Sequence, residues 1–200
     1  MDRGTAASHK SIDTVVLDCP CGRFTRAVAS DTSAKCVGCG SVIAIIKKGA
    51  YISEGGLYRY WLSRHWDNDK NTVGWIMVNP STADATKDDA TVRRCINFAK
   101  SWGYGGIIIV NLFAYRSKNP QDVWTCPVDP IGPDNNYQLR GAMKHCKIVV
   151  AAWGINGTYK NRDKEVKKFF PVLHCLGTTV TGNPRHPLYM PADTKPIIFK

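Results

Sequence analysis

Three short apolar runs each stop at a polar or aromatic residue, with helix-like segments between them, and that alternation leaves few folds open. Gly74-Trp75-Ile76-Met77-Val78 runs into Asn79-Pro80-Ser81, Gly106 to Val110 runs into Asn111, and Ile148 to Ala152 runs into Trp153-Gly154. Apolar runs of this length, rich in Val and Ile, read as strands covered on both faces. Between the first two, Asp88 or Asp89 can cap a helix whose Val92, Cys95, Ile96, Ala99 and Trp102 recur on one face, and Gly103 stops it. Asn135 to His145 reads as a helix before the third run. Asn161 to Phe170 reads as another, ended by Pro171, with a last strand near Val172–Leu176. Tyr58 to His65 alternates like a strand, and Asp67 to Asn71 reads as a turn. Strands separated by single helices imply parallel pairing with right-handed crossovers. The expected fold is a three-layer α/β/α domain with a mainly parallel central sheet. Such a sheet gathers the polar residues at its carboxyl strand ends into one ligand-binding crevice. Asn79, Asn111 and the late His186-Pro187 would meet there, two carboxamides and an imidazole suited to a heterocycle.

Two hundred residues suit one medium domain, or a small module beside a domain of about 150 residues. The expected division is residues 1–50 and 51–200. At 44% hydrophobic and 22% charged, the chain can bury a proper core and has an ordinary soluble composition. No apolar stretch approaches the roughly 20 residues of a membrane span, and Met1 to Ser11 lacks the apolar core of a secretory signal. A cytoplasmic protein with no membrane partner is expected. The net charge of +11 is spread over both parts: residues 1–50 hold seven basic and four acidic residues, residues 51–200 hold 20 and 12. A basic field of this kind attracts polyanions by steering and counterion release, although a basic protein can simply be soluble. There is no Gly-rich phosphate loop after the first strand, so no nucleotide cofactor is expected. No serine nucleophile elbow or His-Glu-x-x-His pair is present.

Four of the eight cysteines crowd together, and the other four are scattered singly. The segments Cys19-Pro20-Cys21-Gly22 and Cys36-Val37-Gly38-Cys39-Gly40 resemble the two knuckles of a zinc ribbon, with Phe24 to Ala29 and Val42 to Ile46 as candidate strands. Four thiolates supply a closed tetrahedral site for structural Zn2+, and the knuckle glycines permit the turns that aim backbone amides at sulfur. A module this small needs metal to hold its fold. The first knuckle is Cys-x-Cys, one residue shorter than usual, so an iron–sulfur cluster and plain thiols stay as alternatives. Lys47, Lys48 and Gly49 lead into the second domain.

The main domain resembles the uracil-DNA glycosylase superfamily. Trp75-Ile76-Met77-Val78-Asn79-Pro80 is similar to the Gly-x-Asn-Pro-Gly motif of its mismatch-specific and single-strand-selective members. Ile107 to Asn111 is similar to the strand ending in the base-reading asparagine, and Val149 to Gly154 to a third strand ending in Trp-Gly. His186-Pro187 stands where the superfamily has its late His-Pro motif. The four matches agree in order over about 110 residues. Closer still is the likeness to an uncharacterised bacterial and phage family carrying Asn-Pro-Ser-Thr-Ala-Asp and Asn-Leu-Phe-Ala motifs.

The resemblance implies a DNA glycosylase that flips a uracil-type or 5-substituted pyrimidine and hydrolyses its N-glycosidic bond. His186 would donate to the pyrimidine O2 as negative charge builds, and Asn79 would orient water under the anomeric carbon. Asn111 offers one donor and one acceptor, the pair that the O4 and N3–H edge of uracil requires. Pro80, Ser81, Thr82 and Phe113 would complete the base pocket. Ser81 stands where some members carry a tyrosine that blocks a 5-methyl group, so substituents such as the hydroxymethyl of 5-hydroxymethyluracil would fit. Leu188, Tyr189 or Met190 would fill the gap in the stack; the usual Ser-Pro-Leu continuation is absent. Arg185, Arg116 and Lys118 would contact phosphate, and Arg93 and Arg94 read as a structural network with Asp84, Asp88 and Asp89. Trp153-Gly154 reads as scaffold. Each residue has a plainer reading, since asparagine before proline starts turns, Asn111 can cap a helix and His-Pro is commonly a loop.

A monomeric DNA-binding enzyme is therefore expected. One alternative is a non-catalytic zinc-containing module that recognises a modified base. Another is an enzyme acting on a free nucleoside or RNA.

Overall fold

The computed structural model describes residues 14–18, 21, 24–28, 33–81 and 83–200. Its contacts divide the chain into two compact units that meet in sequence between Lys47 and Lys48. In the first, β1 (Thr14–Asp18) pairs antiparallel with β2 (Phe24–Val28), and β3 (Ser33–Lys35) pairs antiparallel with β4 (Val42–Ala44). The β2 and β4 runs were legible in the sequence. β3 was not, because three residues are too few to display a period.

The second unit is an α/β fold around a seven-stranded mixed sheet. It opens with β5 (Lys47–Ile52) and β6 (Arg59–His65), so the Lys-Lys-Gly segment expected to be a linker is an edge strand instead. Then follow β7 (Thr72–Met77), α1 (Ala90–Ser101), β8 (Gly106–Asn111), α2 (Asp122–Thr125) and α3 (Asn135–Met143). β9 (Ile148–Ala151), α4 (Arg162–Lys167), β10 (Leu173–Cys175) and β11 (Ile197–Phe199) complete it. The spatial order is β11-β10-β9-β7-β8-β6-β5. β8, β7, β9 and β10 run parallel, as the helix-separated runs predict, while β6 and β11 join antiparallel.

Two features of this order matter for function. The strand after β7 lies on one side of it and the next lies on the other, so β7 is the switch point of the sheet. Crevices form at such a point because the connections leave in opposite directions. The faces are also covered by different helices. α1 buries Val92, Cys95, Ile96, Phe98 and Ala99 against Trp75, Ile107, Ile109 and Val150. On the other face Leu139, Met143 and Val166 pack on Ile76, Val110 and Val149.

Helix α1 forms where its signals put it. The Asp89 side chain accepts from the Val92 amide at 2.8 Å, leaving one fewer unsatisfied donor in the first turn. Its apolar residues recur at three- and four-residue spacing, and Gly103 takes the positive φ of 84° that ends it. Trp102 stacks on both Phe98 and Trp75, with centroids 5.5 and 5.7 Å apart. Full burial of a side chain such as Phe98 stabilises by about 1.5–3 kcal/mol.

Candidate active site

Beyond β7 the chain leaves the sheet at Val78 and returns to regular structure only at Ala90. Buried arginines from β6 hold that connection. Arg59, only 3% exposed, donates to the Ala83 carbonyl at 2.6 Å. Arg64, fully buried, donates to the Asp84 carbonyl at 2.6 Å and pairs with Asp88 at 2.7 Å. Lys48 reaches the same Asp88 at 3.4 Å. The loop also braces itself: Asp84 Oδ1 accepts from the Thr86 amide, the Lys87 amide and the Thr86 hydroxyl, which pull its pKa down to about 2. Alternation over Tyr58 to His65 reads as a strand, but it does not reveal that Arg64 shares the inward face of Tyr60 and Leu62.

This braced loop presents Asn79. Its Nδ2 donates to the carbonyls of Ser117 at 2.9 Å and Pro80 at 3.2 Å, so Oδ1 is left as an acceptor with no protein donor among the described residues. Pro80 is buried, and its carbonyl also accepts from the Ser117 amide at 3.0 Å.

Asn111 ends β8 in register with Met77. Its main chain is held from behind. Asn135 Nδ2 donates to the Asn111 carbonyl at 3.1 Å and the Leu112 carbonyl at 2.9 Å, and Arg162 Nε donates to Leu112 at 2.8 Å. The Asn111 side chain is 1% exposed, and its Nδ2 has no hydrogen-bond partner among the described residues. A buried amide donor without a partner costs about 1–3 kcal/mol, so the site gains when a ligand acceptor meets it.

His186 arrives from the opposite side of β7. The Gly154 amide, just past β9, donates to the Pro184 carbonyl at 2.8 Å, and the Arg185 amide donates to Gly177 at 2.9 Å. Gly154 has a φ of 62° with ψ −161°, a backbone conformation that glycine alone adopts without strain. Arg94 of α1 donates to the Met190 and Pro187 carbonyls and lies over the Phe98 ring, so it straps the His186 loop to the helix. Arg93 donates to the Asp88 carbonyl at 2.6 Å. The expected Asp network around these two arginines is thus a set of carbonyl contacts. His186 Nδ1 accepts from the Leu188 amide at 3.3 Å, which places the proton of the neutral ring on Nε2. Burial pushes the His186 pKa down, against the opposing pull of the Asp89 charge.

These segments enclose a cavity of about 650 Å³ at the switch point, a size common for small-molecule sites. Asn79, Ser81, Asn111 and His186 all line it, as do Trp153, Gly154 and Lys118. Leu188 and Tyr189 line it too, and at 45% and 80% exposure they form its solvent side. Met190 packs instead against the α1-side core. Phe113 is not among the lining residues; it is buried and packs on Tyr159 with centroids 5.7 Å apart. Arg116 donates to Gly56 and the exposed Arg185 to Thr178, both off the cavity wall. Thr82 lies outside the described residues.

Two wall residues had no functional signal in the sequence. Asp89 reads there as a helix cap or a structural partner of Arg93 and Arg94, and Arg59 only as one residue of an alternating strand. Arg59 Nε is buried without a partner among the described residues, and burial lowers the Arg59 pKa to about 10 while Asp89 opposes that shift.

The family described as protein of unknown function (DUF1643) matches residues 59–188. The chain belongs to the DUF1643 family. The matched stretch runs from the buried Arg59 to Leu188, and so spans every strand end that builds the cavity of this DUF1643 protein. No curated protein and no solved structure matches the chain.

In the first unit, the sulfurs of Cys21, Cys36 and Cys39 all lie within 4.8 Å of one another. Cys19 lies outside the described residues. Cys21 and Cys36 Sγ are 3.7 Å apart, far beyond a disulfide bond and close to the roughly 3.8 Å edge of a tetrahedron with 2.3 Å Zn–S bonds. The Gly38 amide points at Cys36 Sγ at 3.4 Å, and Gly40, at φ 74°, donates to the Cys36 carbonyl to close the knuckle. The donor set fits a thiophilic metal. Among the described residues, no helix is long and apolar enough to cross a membrane.

Proposed function

We propose that this protein is a DNA glycosylase of the uracil-DNA glycosylase superfamily, hydrolysing the N-glycosidic bond of a uracil-type or 5-substituted pyrimidine. The supporting observation is that Asn79, Asn111 and His186, from three separate segments, line one cavity at the switch point of the sheet. Their free valences differ in kind. Asn79 keeps an acceptor, Asn111 a buried unpaired donor, and His186 a ring N–H.

In this reading the flipped base enters between Asn111 and His186. Asn111 Nδ2 donates to O4 and its Oδ1 accepts from N3–H. As the glycosidic bond lengthens, negative charge moves onto O2, where His186 Nε2–H donates. A neutral donor in a desolvated pocket stabilises such charge far more than it would in water. The lowered His186 pKa favours that neutral form. Asn79 Oδ1 accepts from the water that attacks C1′. Ser81, half-buried in the wall, leaves room and a hydroxyl beside the 5-position. Leu188 and Tyr189 fill the vacated stack, and the +11 net charge draws the protein to DNA.

Cys21, Cys36 and Cys39, with Cys19 as the fourth donor, would hold structural Zn2+. The metal's part is to supply folding energy to the first unit.

Incubating the full chain with oligonucleotides that carry uracil, thymine or 5-hydroxymethyluracil, and measuring free base, tests the reading. Release of 5-hydroxymethyluracil at least as fast as uracil is expected. Strict preference for uracil would remove the role given to Ser81, and no release from any substrate would remove the glycosylase reading itself.

A further inference from the structure

The glycosidic reaction builds positive charge on the sugar and needs a destination for a water proton. Asn79 serves neither need well. Its amide is neutral, it accepts no proton at physiological pH, and its Nδ2 is already committed to two carbonyls. Among the described residues, the cavity wall nevertheless carries one acidic side chain, Asp89.

On the glycosylase reading, we propose that Asp89 is the catalytic carboxylate of this cavity, facing the sugar cation and taking the proton of the attacking water. Four observations carry this. Asp89 is half-buried in the same wall as Asn79 and His186. Oδ1 is spent on the Val92 amide at 2.8 Å, which fixes the carboxylate plane, while Oδ2 has no protein partner among the described residues. The backbone beneath it is braced, since the neighbouring Asp88 is clamped by buried Arg64 at 2.7 Å and by Lys48. Its charge is felt by both His186 and Arg59, cavity residues on two other segments. The carboxylate therefore sits inside the reacting pocket, whereas an ordinary cap faces solvent.

A water oxygen forms its bond to C1′ as the C1′–N1 bond breaks, and that bond's electron pair leaves with the ring. His186 Nε2–H donates to O2 of the departing anion. One water proton passes to Asp89 Oδ2 and from there through solvent to N1. The products are an abasic sugar hydroxyl and a neutral base. General-base assistance of this kind is worth about 100- to 10,000-fold in rate.

The test separates capping from catalysis, because Asn and Ser cap helices about as well as Asp. Asp89→Asn and Asp89→Ser would be compared with wild type in single-turnover release of 5-hydroxymethyluracil and uracil from a duplex. Affinity would be measured on the same duplex with a 2′-fluoro nucleotide that resists hydrolysis, and folding by the urea midpoint. Both variants should keep the midpoint, bind within about threefold of wild type, and release base at least about 100-fold more slowly. Asp89→Glu should recover part of the rate. Variants that cleave within about threefold of wild type overturn the role of Asp89 and leave the glycosylase reading standing; so does a rate loss matched by an equal loss of affinity. A wild-type chain that releases no base overturns both.

Discussion

Asn135 is where the fold and the candidate site are most tightly coupled, and replacing it with leucine, of similar volume, isolates that coupling. Asn135 is fully buried at the start of α3 and gives its two amide hydrogens to the Asn111 and Leu112 carbonyls. In the variant Leu112 keeps the Arg162 donor at 2.8 Å, so the Asn111 carbonyl is the group deprived of a side-chain partner. Stripping a donor from a buried acceptor costs about 1–3 kcal/mol. Against that, Asn135 Oδ1 is itself buried and has no partner among the described residues, and removing it returns roughly 1 kcal/mol. The net loss should centre on about 1 kcal/mol, or a urea midpoint lowered by about 0.5 M at an unchanged slope near 2 kcal/mol/M. The effect on base excision should exceed the effect on folding. With its main chain less constrained, Asn111 no longer aims reproducibly at the base edge, and displacement by about 1 Å can cost about 100-fold. Single-turnover excision by the folded variant should therefore fall at least about tenfold. Two results would refute this reasoning: an unchanged midpoint, or a lowered midpoint with full excision activity.

Other perturbations reach different parts of the structure. Arg64→Met strips the donors from the Ser63 and Asp84 carbonyls and leaves Asp88 only the more distant Lys48. It should cost about 2–4 kcal/mol by urea denaturation, and a loss below about 1 kcal/mol would show that the loop does not depend on this clamp. His65 and His186 both have pKa values lowered by burial from the ordinary 6.5, so the unfolded chain binds protons more readily than the folded one. Stability should be full above about pH 6.5 and fall as pH drops from there toward the folded pKa values. His186→Asn should flatten part of that fall in urea midpoints between about pH 8 and pH 5, and a wild-type midpoint that stays constant over this range would contradict the assignment. The purified chain should carry about one zinc by elemental analysis, and Cys36→Ser should lose it. A wild-type chain with no bound metal would exclude the ribbon.

The central strands were legible because β7, β8 and β9 are buried on both faces and so appear as unbroken apolar runs. Their polar ends, Asn79 and Asn111, stand out against those runs for the same reason. Helix α1 was legible through agreement of cap, period and stop at Asp89, Val92 to Ala99, and Gly103. The edges were not. β5 reads as a basic linker because Lys47 and Lys48 are exposed in the structure, and β11 is three residues long with Ile197 and Ile198 turned outward. Within the site, what escaped was any residue whose visible role concealed another. Asp89 fulfils a cap, Arg59 fits an alternating strand, and only the three-dimensional path of the loop brings both to the cavity wall. Phe113 illustrates the converse. The resemblance puts it in the base pocket, but the chain bends at Leu112 and delivers its ring to the core beside Tyr159.

The most direct measurement is the amount of free pyrimidine and abasic DNA formed when the full chain meets a duplex containing 5-hydroxymethyluracil or uracil, with Asn79→Ala run in parallel. Stoichiometric appearance of free base and abasic sites is expected with the wild-type chain, and loss of both with the variant at unchanged DNA affinity. Binding with a steep salt dependence and no abasic product from any modified pyrimidine would contradict it, and would leave a protein that recognises the base without cutting it.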